Sequence, residues 1–424
     1  MLDARPRESE IRSWLWAGLW TILILVTIPL ARAIANHVED SAGTAVFLWL
    51  TAGTIVAALL VALRALARRQ LARGAYVWLM VFGGALLGMA WKLRGNPVEA
   101  FHLVQYGVLS VLVYRALLHR CSDNSIYPLS ALLTGSVGIL DEWIQWLIPE
   151  RYWGLRDVAI NFTAAILAQG VLAGGLRPKL VRGWPAGTGL RRLCYCLAIF
   201  LGMLCLSFAN TPDRIAWYAE RIPGSDFLLD SQSMMVEYGY RYEDPDIGVF
   251  RSRFNRAELT NLDRTRGTGV ARILDEYRGD GDWHRFRELY TVPRDAYVHE
   301  TGTHLFRRNR HLILARAPSR PDWKRRDSYF IAQRENLILE KYFPSAIGDS
   351  LHRWGTPTRQ EVDAGAAERD SYESWVSVNL ITEASREQVL AGFLVPIVVL
   401  LVLGRILGRR SRNPVPQNRY DESA

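Results

Sequence analysis

Apolar residues cluster along the chain in runs long enough to cross a bilayer. Seven runs fill the first half, near 13–34, 44–63, 76–92, 100–118, 128–148, 157–176 and 191–209, and an eighth lies at 387–407. Between the seventh and eighth the pattern changes. Trp375–Thr382 (WVSVNLIT) alternates apolar and polar positions, which predicts a strand with one wet face. His304–Arg316 (HLFRRNRHLILAR) also reads as extended. Residues 327–343 predict a helix stopped by Pro344, and Gly-Asp and Asp-Pro pairs around 243–248 and 279–282 predict turns. The expected fold is a polytopic α-helical membrane protein of about eight spans with an extracytoplasmic α+β domain. Residues 1–209 supply the membrane domain, 210–386 the α+β domain, 387–407 the final span and 408–424 a polar cytoplasmic tail, of which 411–424 is expected to be disordered. No internal repeat is evident.

Charge sets the expected orientation. Of 424 residues, 50% are hydrophobic and 22% charged, with a net charge of +9. Residues 210–386 are nearly balanced, with 27 basic and 28 acidic residues, so the excess lies in the membrane-flanking part. Alternate short loops and the two ends carry 19 Lys/Arg, among them Arg64, Arg68, Arg69, Arg73, Arg177, Lys179 and Arg182, against 5 in the intervening loops. That bias places both termini in the cytoplasm of a bacterial cell and 210–386 outside it. An alternative makes residues 1–35 a signal peptide cleaved after Ala33 or Ala35, but Asp3, Glu8 and Glu10 fit an n-region poorly and a retained span is expected. No nucleic-acid-binding motif is present. The four cysteines, Cys121, Cys194, Cys196 and Cys205, all lie outside 210–386, which excludes a disulfide-built domain there.

Three spans carry costly polar groups. The fourth holds Glu99, His102, Gln105 and Tyr106; the fifth holds Asp141, Glu142 and Gln145; the sixth opens on Arg156 and Asp157 and continues to Asn161, and Arg151 precedes it. Glu99, His102 and Tyr106 fall at i, i+3 and i+7, and both Asp141/Gln145 and Asp157/Asn161 at i, i+4, so each set shares a helix face. At 1.5 Å per residue, His102, Glu142 and Asn161 lie ~6–9 Å below the same extracytoplasmic boundary. Facing lipid would cost an acid up to about 3 kcal/mol, so mutual pairing is expected. Arg151 and Arg156 are the natural counter-ions, and His102 is placed to pair with Glu142 or Asp157.

The order Glu99-x-x-His102-x-x-Gln105-Tyr106, Asp141-Glu142-x-x-Gln145, Pro149-x-Arg151 and Asp157-x-x-x-Asn161 resembles the VanZ-like membrane family over roughly 97–175. Two positions depart from that pattern. Gln105 stands where many members have an acid, and Ala164 where a Gly often follows the Asn. The resemblance implies a multi-span bacterial cell-envelope protein. Its founding member is linked to resistance to the glycopeptide teicoplanin, so a related role is implied here. Most members lack so large an exported domain.

Three functions are open at this point. The leading one is an extracytoplasmic-facing pocket that binds an anionic lipid-linked or peptidoglycan-related ligand, such as an envelope precursor, with no cofactor or metal. The second is a membrane enzyme modifying such a substrate, with His102 and Glu142 as the acid–base types. The third is a membrane-anchored scaffold for an unknown protein partner of 210–386. A polar network that only fixes helix packing is the bland alternative. In the exported domain, His299-Glu300-Thr-Gly-Thr-His304 has the wrong spacing for a zinc helix, since five residues turn about 140°. Arg307, Arg308, Arg310, His311 and the triplet Lys324-Arg325-Arg326 read as a solvated basic face, with docking of anionic lipid head groups or teichoic-type polymers as the alternative. Arg334-Glu335 and Glu340-Lys341 read as exposed helix charges.

Overall fold

The computed structural model describes residues 6–148, 151–185, 187–231, 234–279 and 281–410. Pro149, Asp280 and the tail 411–424 lie outside them. The chain divides into two compact units, one holding residues up to Leu206 and those from Ala391 onward, the other Ser207–Leu390.

All eight apolar stretches are helical. The first unit contains α1 (Glu10–Ala42), α2 (Ala45–Arg69), α3 (Arg73–Lys92), the short α4 (Pro97–Ala100), α5 (His102–Leu117), α6 (Ile126–Trp146), α7 (Leu155–Gly170) and α8 (Gly187–Ala209). Among the described residues seven helices are long and apolar enough to cross a membrane. The chain is therefore a helical, multi-pass membrane protein. The expected fifth span forms α6 but is not among the seven, because Asp141, Glu142 and its Ser, Thr and Gly residues dilute its hydropathy. What α6 lacks in apolar character it gains in burial, since α5, α6 and α7 pack on one another and α1 packs on α5 and α6. Small residues permit the close approach: a Cβ on Gly135 would meet the Phe162 ring at 2.6 Å. A π-helical turn, Val171–Leu176, extends α7, and Arg177 closes it at φ 44°. Arg69 of α2 donates to the Leu176 and Arg177 carbonyls there.

The second unit contains α9 (Pro212–Arg221), a hairpin of β1 (Tyr240–Asp244) and β2 (Gly248–Ser252), α10 (Arg256–Asp275), α11 (Asp282–Leu289), α12 (Val292–Arg316), α13 (Asp322–Tyr342), α14 (Pro344–Gly348) and α15 (Thr356–Gly365). After it, α16 (Arg386–Arg410) forms the last apolar helix. Local chemistry explains several starts. Asn255 and Glu258 form a reciprocal capping box at α10, and Pro opens α9, α12, α14 and α15, where its missing N–H costs nothing. The hairpin is antiparallel, with Tyr242 opposite Phe250. Gly248 has φ 109°, and a Cβ there would lie 2.4 Å from the Tyr372 carbonyl oxygen.

This unit corrects the α+β expectation, since its only sheet among the described residues is that hairpin. Residues 304–316 are helical within α12. Buried Thr301, His304, Leu305, Arg308, Leu312 and Ala315 recur at helical spacing, so the basic residues between them had suggested a false alternation. Residues 375–382 are turns, not a strand. Ser377 takes φ 57°, Trp375 is 75% exposed, and only Ile381 bridges, to Tyr238. The helix read at 327–343 is α13, which ends at Tyr342 before Pro344.

Candidate functional site

Proximity of α5, α6 and α7 gathers most of the polar residues singled out in the sequence. The Tyr106 hydroxyl donates to Asp141 Oδ2 at 2.6 Å. Gln145 Nε2 donates to Asp141 Oδ1 at 3.3 Å and to Glu142 Oε1 at 3.1 Å. Arg151 Nη2 donates to Gln145 Oε1 at 2.8 Å, and the Gly154 amide donates to Glu142 Oε2 at 3.1 Å. Hydrogen bonds thus run from α5 through α6 to the segment that starts α7. Asp157, in the first turn of α7, sits where a carboxylate favours the helix N-terminus, and a Cβ on Gly154 would lie 2.8 Å from its Oδ2.

Two expected pairings are corrected. Among the described residues Arg151 contacts the Gln145 amide rather than an acid, with Asp141 and Glu142 already receiving Tyr106, Gln145 and Gly154. His102 pairs with neither Glu142 nor Asp157. Its ring stacks on Tyr106, one turn along α5, at 6.0 Å and 8°, and its buried Nδ1 has no partner among the described residues. Arg156 does act as a counter-ion, for Glu99, with Nη2 3.0 Å from Oε2. Asn96 Nδ2 also donates to Glu99, at 2.7 Å. Gln105 is engaged through its main-chain carbonyl, which accepts the Trp20 indole N–H at 2.9 Å.

Asn161 is fully buried, and neither amide atom has a partner among the described residues. A Cβ built on Gly138 would lie 2.9 Å from Asn161 Cβ and 3.4 Å from Tyr106 Cε1, so glycine lets these two side chains meet over α6. Native interiors leave few such groups unbonded, at about 1–3 kcal/mol each. The layer has a closed interior and an open rim. Tyr106, Asp141, Glu142 and Asn161 are sealed, whereas the Arg156 side chain is 67% exposed.

Sequence reasoning missed a second buried layer on the same helices. Gln169 Nε2 donates to the Ser110 carbonyl at 2.9 Å and to its hydroxyl at 2.8 Å. The spacing held the signal, since Ser110 is i+4 from Tyr106 and Gln169 is i+8 from Asn161.

The second unit holds two polar clusters that also went unread. Glu335 is fully buried, not exposed: Oε1 accepts from Arg307 Nε at 2.9 Å, Tyr372 at 2.6 Å and Ser374 at 2.7 Å, and Oε2 lies 2.6 Å from His304 Nδ1. Arg308 is likewise buried rather than solvated, bonded to Asn309, Asn336 and the His352 carbonyl, with Trp354 under its guanidinium at 4.9 Å. Lys341 pairs with Asp244 at 2.7 Å, and Glu340 pairs with Arg359 at 2.6 Å, so these charges are tied down too. In the second cluster Arg253 bonds Glu237 at 2.6 Å and Glu300 at 3.3 Å. His299 faces the Tyr290 carbonyl at 2.7 Å, so it and His304 serve different partners. Among the described residues no His, Cys, Asp or Glu grouping is arranged to hold a metal.

No protein-family model, curated protein or solved structure matches the chain.

Proposed function

We propose that the protein is a VanZ-like cell-envelope component of the bacterial cytoplasmic membrane. Both termini lie in the cytoplasm and 210–386 outside in this reading, which rests on the Lys/Arg bias of the loops. The membrane unit binds an anionic, lipid-linked or peptidoglycan-related head group at the outward end of α5, α6 and α7. The observation that carries the reading is the buried relay Tyr106–Asp141–Gln145–Arg151. Asp141 and Glu142 already accept from Tyr106, Gln145 and Gly154 and offer no donor to an anion, so they do not touch it. They fix Gln145 and, through it, Arg151, while Glu99 fixes Arg156. Arginine forks at an open rim suit phosphate or carboxylate.

The test uses the full chain in nanodiscs with a polyprenyl diphosphate lipid as probe. Arg151→Ala with Arg156→Ala should weaken binding about tenfold or more, the loss expected for charge-assisted hydrogen bonds. Equal binding by the double variant leaves the relay as a packing device. The second reading, a membrane enzyme acting on such a lipid, is favoured by the unpartnered His102 Nδ1 and Asn161 amide beside Tyr106. It predicts turnover of the lipid, lost in His102→Ala with binding retained.

A further inference from the structure

A groove of 540 Å³ in the second unit lies between α11, α12 and the turn at Trp375. Its walls, among the described residues, include Arg278, Arg307 and Arg310 and no Asp or Glu. Arg310 is exposed, and no described carboxylate pairs with it. Arg307 is fixed from its buried side by Glu335 at 2.9 Å, so its guanidinium is already oriented. The same walls carry aromatic rings. Trp283 and Phe306 pack at 5.1 Å and 52°, and Trp375 holds a broad open face at 75% exposure. Aromatic side chains in a concave site with a few convergent polar groups are the usual lining of a ligand pocket.

His311 lines the groove with its Nδ1 buried and without a partner among the described residues. Burial first, then Arg307, push its imidazole down to about 4, against Glu335 and with smaller help from Arg320 and Arg310. The permanently charged groups on the groove's walls, among the described residues, are Arg278, Arg307 and Arg310.

We propose that this groove binds an anionic carbohydrate, with a sugar ring laid on Trp375 and its phosphate or carboxylate held by Arg307 and Arg310. The arginines supply the forked donors an oxyanion needs. The open, single-faced Trp375 platform suits the C–H face of a sugar better than a flat nucleobase, which wants a slot between parallel rings. The tilted Trp283–Phe306 pair offers no such slot. This site is independent of the membrane relay, so it stands or falls without it.

The experiment is calorimetric titration of the full chain in detergent with N-acetylglucosamine 1-phosphate, galacturonate, inorganic phosphate, maltotriose and uridine monophosphate. Either anionic sugar should bind about tenfold or more tightly than both maltotriose and inorganic phosphate, and added salt should weaken it. Comparing the phosphate sugar with galacturonate tells which anion the arginines take. Arg310→Ala and Trp375→Ala should each weaken binding, with an unchanged thermal midpoint because both side chains are exposed. The proposal is overturned if no anionic sugar binds, if maltotriose or inorganic phosphate binds equally well, if uridine monophosphate binds more tightly, or if both variants bind like the parent.

Discussion

The Tyr106 hydroxyl donates to Asp141 Oδ2 across 2.6 Å, joining α5 to α6 where both side chains are shut off from the surface. Removing that hydroxyl strands the acid without adding a compensating donor. Tyr106→Phe should destabilise the membrane unit by about 1–3 kcal/mol. Thermal unfolding in detergent reads this, and an unchanged midpoint would show that the hydroxyl contributes nothing net.

Close packing at Gly138 gives a second prediction. A methyl group there would press on Asn161 Cβ at 2.9 Å and on Tyr106 at 3.4 Å. Gly138→Ala should cost about 1–3 kcal/mol through overpacking. Gly107, on α5, has nothing within 4 Å of its built Cβ, so Gly107→Ala should be neutral or mildly stabilising. Similar melting temperatures for the two variants would contradict this contrast.

Legibility in the sequence followed the solvent each segment prefers. Long apolar runs announce helices without help from packing, and all eight stretches are helical. Polar residues inside such runs are also conspicuous, which is why Tyr106, Asp141, Glu142 and Gln145, hydrogen-bonded in the structure, stand out in the sequence. The partners were less legible, because which donor reaches which acid depends on helix rotation. The second unit hid more. At 304–316 charged residues share a helix with buried ones, and Arg308 is buried by long-range partners such as Asn336 and Trp354. Glu335 reads as a surface charge beside Arg334 until α12 and the 372–374 segment are folded over it.

Glu335 carries the third prediction. Its carboxylate serves Arg307, Tyr372, Ser374 and His304 with no exposure. Glu335→Gln removes the charge and turns one acceptor into a donor facing other donors. Breaking one partner of a buried ion pair costs about 3–5 kcal/mol. The loss should appear in urea unfolding of the full chain followed by tryptophan fluorescence. Glu373, 55% exposed and paired with Arg251, is the control, and Glu373→Gln should shift stability by at most about 1 kcal/mol. Equal effects would mean that the Glu335 cluster is solvated in solution.

Acid should loosen the second unit. Burial lowers His299, His311 and His352, the last two despite nearby Glu335 and the Leu274 carbonyl respectively, and His311 falls to about 4. An unfolded imidazole takes up a proton near pH 6.5, whereas the folded ones resist. Between those values the unfolded chain binds more protons, so stability rises with pH and is lost as pH falls from about 6.5 toward 4. Glu335 adds to the loss lower down. Burial pushes its carboxyl up, but His304 and the Tyr372 and Ser374 hydroxyls outweigh that and hold it below the usual carboxylate range. Its contribution is present above the ordinary Glu value and disappears as pH falls through the folded one. Urea midpoints of the full chain should therefore decline steadily from pH 7 to 4, and His311→Gln should make the decline shallower. A midpoint that rises on acidification, or a slope unaffected by His311→Gln, would falsify this assignment of the proton uptake.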